Sequence, residues 1–245
     1  MTLHFNRKNH YLISIRQIDN IKIYLQQDEF YIYLLKDNDF LNYQIVLMND
    51  EIIINYLDNF IIILPSNYNL QSKIWENFYN IFGDFYESLI NVENNLSCIN
   101  KMLSYIKGNH TLKDKIILDY GCGSGLSAKL NHDCLLLGYD RIDKMRIRAK
   151  ENGLNVIDKM ILNNLPENYF DAVFSCYVFH MGISMESIEL VSKKMKNNAI
   201  WIANYYKNIN VDHVSSIFKY LNFDVKKIDT IGNSYGDIYE YRKKE

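Results

Sequence analysis

The chain has 245 residues, and 48% of them are hydrophobic, which is enough apolar material for one large domain or for one domain with a small module. This composition supports a hydrophobic core and argues against an intrinsically disordered protein. The formal net charge is −2, so no overall positive field favours binding to nucleic acid or to an anionic membrane surface.

The start of the chain is polar and lacks the apolar core of a signal peptide. No apolar run approaches the length of a membrane span, so we expect no membrane partner. The four cysteines are Cys98, Cys122, Cys134 and Cys176. They form no Cys-x-x-Cys pair, which argues against a zinc site and against a disulfide framework. We therefore expect a cytoplasmic protein with reduced thiols.

Short runs rich in β-branched and aromatic residues follow one another through residues 1–66. The runs are Tyr11–Ile15, Ile21–Leu25, Phe30–Leu35, Tyr43–Met48, Ile52–Leu57 and Phe60–Leu64. Polar turn residues separate them, and this spacing predicts an antiparallel β module. One face of such a sheet must be buried, against the rest of the chain or against a second copy, and we expect a homodimer interface. Residues 1–64 carry five basic and eight acidic residues, and the resulting charge of −3 disfavours RNA binding.

The pattern becomes helical in residues 67–110. Apolar residues recur there at intervals of three and four: Trp75, Phe78, Tyr79, Phe82, Phe85, Tyr86, Leu89 and Ile90. This predicts one aromatic face along one or two helices, with Gly83 as the candidate break between them. Gly108 and Asn109 indicate the end of the helical part.

A glycine-rich motif follows. The nonapeptide Ile117–Gly125 combines an apolar strand, an acid at the strand end and glycines at alternate positions. Gly121, Gly123 and Gly125 allow positive φ and a close approach of a ligand to the main chain. The spacing Asp-x-Gly-x-Gly-x-Gly differs from the dinucleotide fingerprint, and Asp119 would repel a pyrophosphate. Taken alone, the motif is also compatible with an ordinary strand-to-helix connection.

Four further apolar runs are separated by stretches of helical spacing. The runs are Leu135–Tyr139, Asn155–Ile157, Phe170–Cys176 and Ala199–Ala203, and the helical stretches include 143–152 and 183–195. Strands that alternate with helices predict a doubly wound parallel sheet over residues 111–245. Asp140 follows the first of these runs, twenty-one positions after Asp119. This spacing is typical of an acid that binds ribose hydroxyls.

This order of motifs resembles that of the class I S-adenosylmethionine-dependent methyltransferases, and the resemblance covers residues 75–245. It implies an α/β fold with a Rossmann-like doubly wound seven-stranded sheet, preceded by lid helices in residues 67–110. It implies S-adenosyl-L-methionine as the cofactor. It also suggests Tyr79 and Tyr86 as residues of the lid over that cofactor.

The resemblance further implies a place for each part of the cofactor. The methionine half is held by Asp119, Gly121, Cys122, Gly123 and Gly125. The ammonium group lies near the Asp119 carboxylate or near a bridging water. Asp140 accepts both ribose hydroxyls, and Arg141 lies beside the adenine ring. An alternative role for Asp140 is that of a simple helix N-cap.

The region after the third predicted strand departs from the family pattern. Related enzymes place an adenine-binding acid four positions before a Leu-Pro pair, but here the position four before Leu165 is Ile161. The nearest acid, Asp158, comes three residues too early. Two explanations remain open: a bulge brings Asp158 to the adenine, or main-chain groups near Met160 and Ile161 bind the adenine alone.

The loop after the fourth predicted strand, Ser175–Met181, lines the methyl-transfer site in the family. His180 is the candidate general base, because an unperturbed imidazole has a pKa near neutrality. Tyr177 is expected to orient the acceptor or to lie beside the sulfonium, and Cys176 is expected to contact the cofactor. In the alternative, His180 caps a helix or satisfies a core carbonyl. A base is not mandatory, because transfer can proceed by positioning alone when the acceptor is already deprotonated.

The sequence leads to one main hypothesis and two alternatives. The main hypothesis is an enzyme that transfers the methyl group of S-adenosylmethionine to an O, N or C atom of a small molecule or peptide. The first alternative is an RNA or protein methyltransferase that uses the N-terminal module for recognition. The second is a non-catalytic, cofactor-binding assembly partner. The charge makes nucleic acid the less favoured partner, no metal-ligand pattern is present in the sequence, and the acceptor is not identified by any motif.

Overall fold

The computed structural model describes residues 22–25, 30–34, 60–61, 72, 76, 79–80, 83–109, 111–130, 133–206, 210–230 and 236–244. The strands in this part are β1 (Lys22–Leu25), β2 (Phe30–Leu34), β3 (Phe60–Ile61), β4 (Ile116–Tyr120), β5 (Leu135–Tyr139), β6 (Asn155–Ile157), β7 (Phe170–Ser175), β8 (Met195–Asn204), β9 (Phe223–Thr230) and β10 (Asp237–Lys243). The α-helices are α1 (Tyr86–Leu89), α2 (Val92–Asn109), α3 (Asp143–Glu151), α4 (Lys159–Asn164), α5 (Met185–Lys194) and α6 (Val211–Tyr220). Short 3₁₀ turns occupy Gly83–Phe85, Leu126–Lys129 and Phe179–Met181.

The three N-terminal strands form an antiparallel sheet in the order β1-β2-β3. β1 and β2 coincide with the predicted runs Ile21–Leu25 and Phe30–Leu35, and β3 lies within the run Phe60–Leu64. The other three predicted runs lie outside the described residues. The extent of the N-terminal module and its role in a dimer therefore stay predictions.

The other seven strands form one sheet in the order β6-β5-β4-β7-β8-β10-β9. β4 to β8 pair in parallel, and β10 runs antiparallel to both of its neighbours. This arrangement confirms the predicted Rossmann-like, doubly wound seven-stranded sheet. The strand order reverses between β4 and β7, which opens a crevice at the carboxyl ends of these strands, where open α/β sheets bind their ligands.

Both faces of this sheet are covered, as the continuous apolar runs of its strands require. Successive residues of a strand point to opposite faces, so Ile117 and Leu118 of β4 belong to different core layers. Ile117 packs in the layer that contains Cys98 and Met102 of α2, and Leu118 packs in the layer that contains Trp201 of β8. All five side chains are fully buried. The core therefore fixes β4 at the centre of the molecule.

No helix in the described part combines the length and the apolar character that a membrane crossing requires.

At the end of the sheet opposite the crevice, one carboxylate forms hydrogen bonds with groups at the beginnings of neighbouring strands. Asp171 of β7 accepts hydrogen bonds from the Ile116 N–H (3.0 Å), from Lys115 Nζ (3.1 Å) and from Lys196 Nζ (2.8 Å). Desolvation opposes ionisation here, but the bond from the Ile116 N–H and the contacts with the two lysines outweigh it and lower the pKa of Asp171. Asp171 thus joins the beginnings of β4, β7 and β8.

We predict that Asp171→Ala lowers the free energy of unfolding by about 2 kcal/mol at pH 7, because three donors lose their acceptor. Since folding lowers the pKa of Asp171, its contribution is present above the unfolded-state pKa and is lost as the pH falls through the folded-state pKa. Urea unfolding at pH 7 and at stepwise lower pH measures this loss. The control is Asp224→Ala, which removes an exposed ion pair with Lys244 and should cost less than about 0.5 kcal/mol. If Asp171→Ala lowers the free energy of unfolding by the same amount at every pH, this role of the Asp171 carboxylate is contradicted.

Candidate functional site

A cavity of about 440 Å³ opens at the carboxyl ends of β4, β5 and β7. Its described lining near the glycine turn and the N-terminal segment comprises Ser72, Glu76, Tyr79, Tyr86, Gly121 and Gly123. The end of β5 and the start of α3 contribute Tyr139, Asp140, Arg141, Ile142, Asp143, Met145 and Arg146. The opposite wall comprises Tyr120, Lys159, Leu162, Cys176, Tyr177, Val178, Met181, Gly182, Ile183, Ser184, Ser187 and Leu190. The cavity thus lies at the crevice that the strand order creates.

The glycine turn forms one wall of this cavity, and its backbone leaves no room for side chains. Gly121 and Gly123 both have positive φ, at 80° and 53°. A Cβ on Gly121 would lie 2.3 Å from a methyl carbon of Val178, and a Cβ on Gly123 would lie 3.1 Å from the Tyr86 hydroxyl. Gly125 has a different task, because a Cβ there would lie 2.8 Å from Ala149 of α3. Two of the three glycines therefore shape the cavity, and the third allows α3 to pack closely.

Asp140 connects the glycine turn to the end of β5. Its Oδ2 accepts a hydrogen bond from the Gly123 N–H (3.0 Å), and its Oδ1 accepts one from the Ile142 N–H (2.9 Å). The side chain is buried, and this desolvation raises the pKa of Asp140 despite the two hydrogen bonds. The N-cap of α3 is Ile142, so Asp140 lies in the turn before the helix and does not act as its N-cap. Each carboxylate oxygen keeps a second lone pair for a ligand hydroxyl.

Asp119 lies behind the glycine turn and is not part of the described cavity lining. Its Oδ2 accepts a hydrogen bond from the Ser127 hydroxyl at 2.6 Å. Burial, and to a smaller extent the charge of Asp140, raises the pKa of Asp119 to about 7. At neutral pH the carboxyl group is therefore close to the midpoint of its titration, and a nearby cation would favour its ionised form.

The two residues predicted to bind adenine lie together on the outside of α4. Asp158 is the N-cap of this helix, and its Oδ1 accepts a hydrogen bond from the Ile161 N–H at 2.8 Å. Neither residue is among the described lining of the cavity, which Lys159 and Leu162 reach instead. The pairing of β6 with β5 continues without a register shift up to Ile157. Adenine binding by Asp158 or Ile161 stays a prediction that this geometry does not support.

Two tyrosines cover the glycine turn, and we call Tyr79 and Tyr86 the aromatic lid. Their rings meet edge to face, with centroids 5.5 Å apart. The Tyr86 hydroxyl lies against Gly123, and both side chains line the cavity. The segment suggested by the family resemblance as a lid thus lies over the predicted cofactor motif.

Polar contacts hold the aromatic lid against the domain. Glu87 accepts hydrogen bonds from the Ser124 hydroxyl (3.1 Å) and from Asn152 Nδ2 (3.3 Å), and it forms an ion pair with Lys129 (3.4 Å). Asn152 Nδ2 also donates to the Ser124 carbonyl at 2.8 Å. A single glutamate therefore links α1 to the glycine turn, to the 3₁₀ turn that follows it and to the end of α3.

The residues of the loop after β7 occupy two different environments. Cys176 and Tyr177 line the cavity, and the N–H of Tyr177 donates to Asn204 Oδ1 at 2.6 Å. This bond supports a positive φ of 56° at Tyr177, which is uncommon for a residue with a large side chain. His180 is buried, is not among the described lining residues, and has a pKa that burial lowers to about 3. Its ring centroid lies 5.7 Å from that of Tyr206.

The structure therefore divides the predicted site residues into two groups. Around the cavity lie Gly121, Gly123, Asp140, Arg141, Cys176, Tyr177 and Tyr86. Outside its described lining are Asp119, Cys122, Gly125, Asp158, Ile161 and His180. Of the residues that the sequence analysis did not single out, Ser127 pairs with Asp119, and Ser187 contributes a hydroxyl to the cavity. Ser127 acquires its partner through the tertiary fold and has no local sequence signal, whereas Ser187 lies three residues after Ser184, the N-cap of α5, and is hydrogen-bonded to it.

Comparison with known proteins agrees with this geometry. Residues 118–198 match a family model described as a methyltransferase domain. The crystal structure of magnesium protoporphyrin IX methyltransferase from Synechocystis PCC 6803 with bound SAM is similar, with a TM-score of 0.54, 18% identity, and coverage of 71% of this chain and 97% of that chain. A SAM dependent methyltransferase from Archaeoglobus fulgidus has a TM-score of 0.50 and 20% identity, with coverage of 68% of this chain and 99% of that chain. Identities this low establish a shared fold only. No curated protein sequence matches the chain.

We predict that Asp119→Asn stabilises the ligand-free protein at high pH. Since folding raises the pKa of Asp119, its effect on stability is most favourable below the unfolded-state pKa and becomes unfavourable as the pH rises through about 7. The asparagine keeps an acceptor for Ser127 and removes the buried charge. We expect the variant to unfold about 2–4 °C above the wild type at pH 8, and we expect this difference to shrink at pH 5.

Thermal unfolding of the ligand-free protein at the two pH values is the measurement, with the exposed Asp133→Asn as the matched control. A variant that is less stable than the wild type at both pH values would show that the carboxylate contributes a structural hydrogen bond and no electrostatic strain.

Proposed function

We propose that this protein, a class I S-adenosylmethionine-dependent methyltransferase, transfers the methyl group of its cofactor to an O, N or C atom of a small molecule or a peptide. The observation that carries the proposal is the cavity that the glycine turn and Asp140 both line and that the aromatic lid borders. Its dimensions and chemistry suit one elongated ligand that carries vicinal hydroxyls at its centre.

The residues around the cavity fit S-adenosylmethionine. Gly121 and Gly123 line the cavity without side chains, which Val178 and Tyr86 would obstruct, so the main chain of the turn forms the cavity wall that a ligand meets. The free lone pairs of Asp140 suit the two ribose hydroxyls, and Arg141 borders the cavity next to this acid. When bound, the cofactor supplies an electrophilic methyl group on a sulfonium. The task of the protein is to bind, orient and shield it.

Buried negative charge supports the methionine half of the cofactor. Asp119 and Asp140 both lie at the carboxyl ends of neighbouring strands, and burial raises the pKa of each. We propose that the ammonium group and the sulfonium of the cofactor favour the ionised form of Asp119 from across the glycine turn. Cys122 and Gly125 then support the cofactor indirectly by holding the turn in place. The Cys122 N–H donates a hydrogen bond to the Tyr139 carbonyl (3.0 Å), and Gly125 packs against α3.

We favour methyl transfer by positioning over transfer with a histidine base. His180 stays the predicted base, but a pKa of about 3 and a location outside the described lining make it a poor proton acceptor at neutral pH. Tyr177 borders the cavity, and its backbone is fixed by Asn204 at the end of β8. We propose that Tyr177 orients the acceptor for in-line attack on the methyl group.

The proposed class of methyl acceptor is inferred from the charge of the N-terminal residues. The acidic character of residues 1–64 speaks against RNA and is compatible with a small molecule or a peptide. The N-terminal module is proposed to cover the acceptor cleft or to form a dimer interface.

Calorimetric titration tests the proposal. We predict micromolar binding of S-adenosylmethionine and S-adenosylhomocysteine to the wild type, and a loss of at least tenfold in affinity for Asp140→Ala, because both ribose hydroxyls lose their acceptor. Asp133→Ala, an exposed acid on the opposite side of β5, is the control and should bind like the wild type. Absence of binding to either ligand would contradict the proposal. Methyl-labelled cofactor offered with small-molecule, peptide and RNA pools then identifies the acceptor class.

The role of His180 is tested separately, by measuring the rate of methyl transfer to the acceptor pool that becomes labelled. We predict that His180→Gln keeps the transfer rate within about threefold, whereas loss of a true general base costs about a hundredfold or more. Asn204→Ala, which frees the backbone of Tyr177, should slow transfer about tenfold at saturating cofactor. A wild-type rate that follows an imidazole-like titration between pH 6 and 8 and disappears in His180→Gln would restore His180 as the base.

A further inference from the structure

The part of the cavity formed by α4 and α5 has a different character from the glycine turn. Six apolar side chains line it: Ile142, Leu162, Val178, Met181, Ile183 and Leu190. Such a lining suits an aromatic ring system, and it adjoins Asp140 through Ile142. If Asp140 binds the ribose, the purine of the cofactor enters this part.

Three hydroxyl-bearing residues lie in this part of the cavity, together with Lys159 at the start of α4. Ser184 Oγ and Ser187 Oγ lie 3.1 Å apart, and the Tyr120 side chain lines the same cavity. Tyr120 is the last residue of β4, and its ring stacks on Tyr139 with centroids 5.4 Å apart. We call Ser184, Ser187 and Tyr120 the hydroxyl chain. All three residues line the cavity.

Carboxylates are not positioned to take this role. Among the described lining residues, the acids are Glu76, Asp140 and Asp143. Asp140 is engaged with the main chain at the ribose position, and the Asp143 side chain is 82% exposed and paired with Arg146. Asp158 lies outside the described lining and caps α4 with its Oδ1. The base-binding part therefore offers hydroxyls where a carboxylate was expected.

We propose that the hydroxyl chain, with Ser187 at its centre, recognises the polar edge of the adenine in place of an acid. This inference rests on the proposed function, since it assumes that S-adenosylmethionine occupies the cavity. Ser187 can accept a hydrogen bond from the adenine amino group or donate one to the adjacent ring nitrogen. Ser184 Oγ, 3.1 Å away, completes its hydrogen bonding in either case.

A chain of hydroxyls has a consequence for specificity that a carboxylate does not share. A carboxylate only accepts hydrogen bonds, so it repels the carbonyl oxygen that replaces the amino group in hypoxanthine. Hydroxyls can reverse their direction of donation, so no buried polar group is left unpaired when the base changes. The wild type should therefore discriminate only weakly between adenine and hypoxanthine.

Calorimetric binding of S-adenosylhomocysteine and of its deaminated analogue, S-inosylhomocysteine, tests the inference without any acceptor. We expect the wild type to bind the two ligands within about tenfold of each other. Ser187→Ala should lower the affinity for S-adenosylhomocysteine about tenfold. Ser187→Thr should bind it like the wild type because it keeps the hydroxyl. Asp158→Asn should also bind it like the wild type. Ser216→Ala, an exposed serine on α6, is the matched control. Thermal unfolding of each variant shows that it is folded.

Two results would overturn the inference while leaving the proposed function intact. In the first, the wild type binds S-inosylhomocysteine more than about a hundredfold more weakly than S-adenosylhomocysteine. Such a difference indicates a group that can only accept a hydrogen bond from the base. The second is weakened binding in Asp158→Asn together with unchanged binding in Ser187→Ala. Failure of the wild type to bind S-adenosylhomocysteine at all would overturn the proposed function and this inference with it.

Discussion

The carboxylate of Asp140 holds together the two chain segments on which the site depends. It accepts one hydrogen bond from Gly123 in the glycine turn and one from Ile142 at the start of α3. Burying a carboxylate is costly unless donors surround it, and these two N–H groups offset part of that cost. The turn can reach Asp140 only because Gly123 adopts a positive φ without a Cβ. The same absence of a side chain lets Tyr86 lie directly on the turn.

Two buried acids make the ligand-free site electrostatically unfavourable. Asp119 and Asp140 lie on adjacent strands, and desolvation raises the pKa of both. A hydrophobic residue in place of Asp119 would suit the core better, since Ser127 is the one side chain among the described residues that donates a hydrogen bond to it. Local departures from good folding rules are typical of functional sites. A ligand that brings an ammonium and a sulfonium would relieve this strain, and part of its binding energy would come from that relief.

Much of the fold was predictable because the signals are local. The apolar runs of β4 to β8 are continuous since both faces of the sheet are covered, and the glycine spacing of Gly121 to Gly125 reports a turn at a strand end. β9 and β10 were expected only from the family resemblance. The spacing from Asp119 to Asp140 correctly placed two acids at neighbouring strand ends. The aromatic pattern of residues 75–90 includes Tyr86, and the structure places the Tyr86 hydroxyl against Gly123 of the glycine turn.

The details of the site depended on tertiary contacts that the sequence does not encode locally. His180 has the ordinary sequence context of a catalytic base, and only the packing around it shows that burial depresses its pKa. Ser187 reaches the cavity because the start of α5 lies at the same crevice as Tyr120, the last residue of β4. Asp158 is an exception, because its spacing of three residues to Ile161 is that of an N-cap and its partner and could have been recognised as such.

The crystal structure of the protein with S-adenosylhomocysteine tests the central claim most directly. The account predicts density for the ligand in the cavity at the carboxyl ends of β4 and β5, with both ribose hydroxyls on Asp140 and the aromatic lid over the methionine half. Density that places the ribose away from Asp140, or a cavity that stays empty at saturating ligand, would contradict the account.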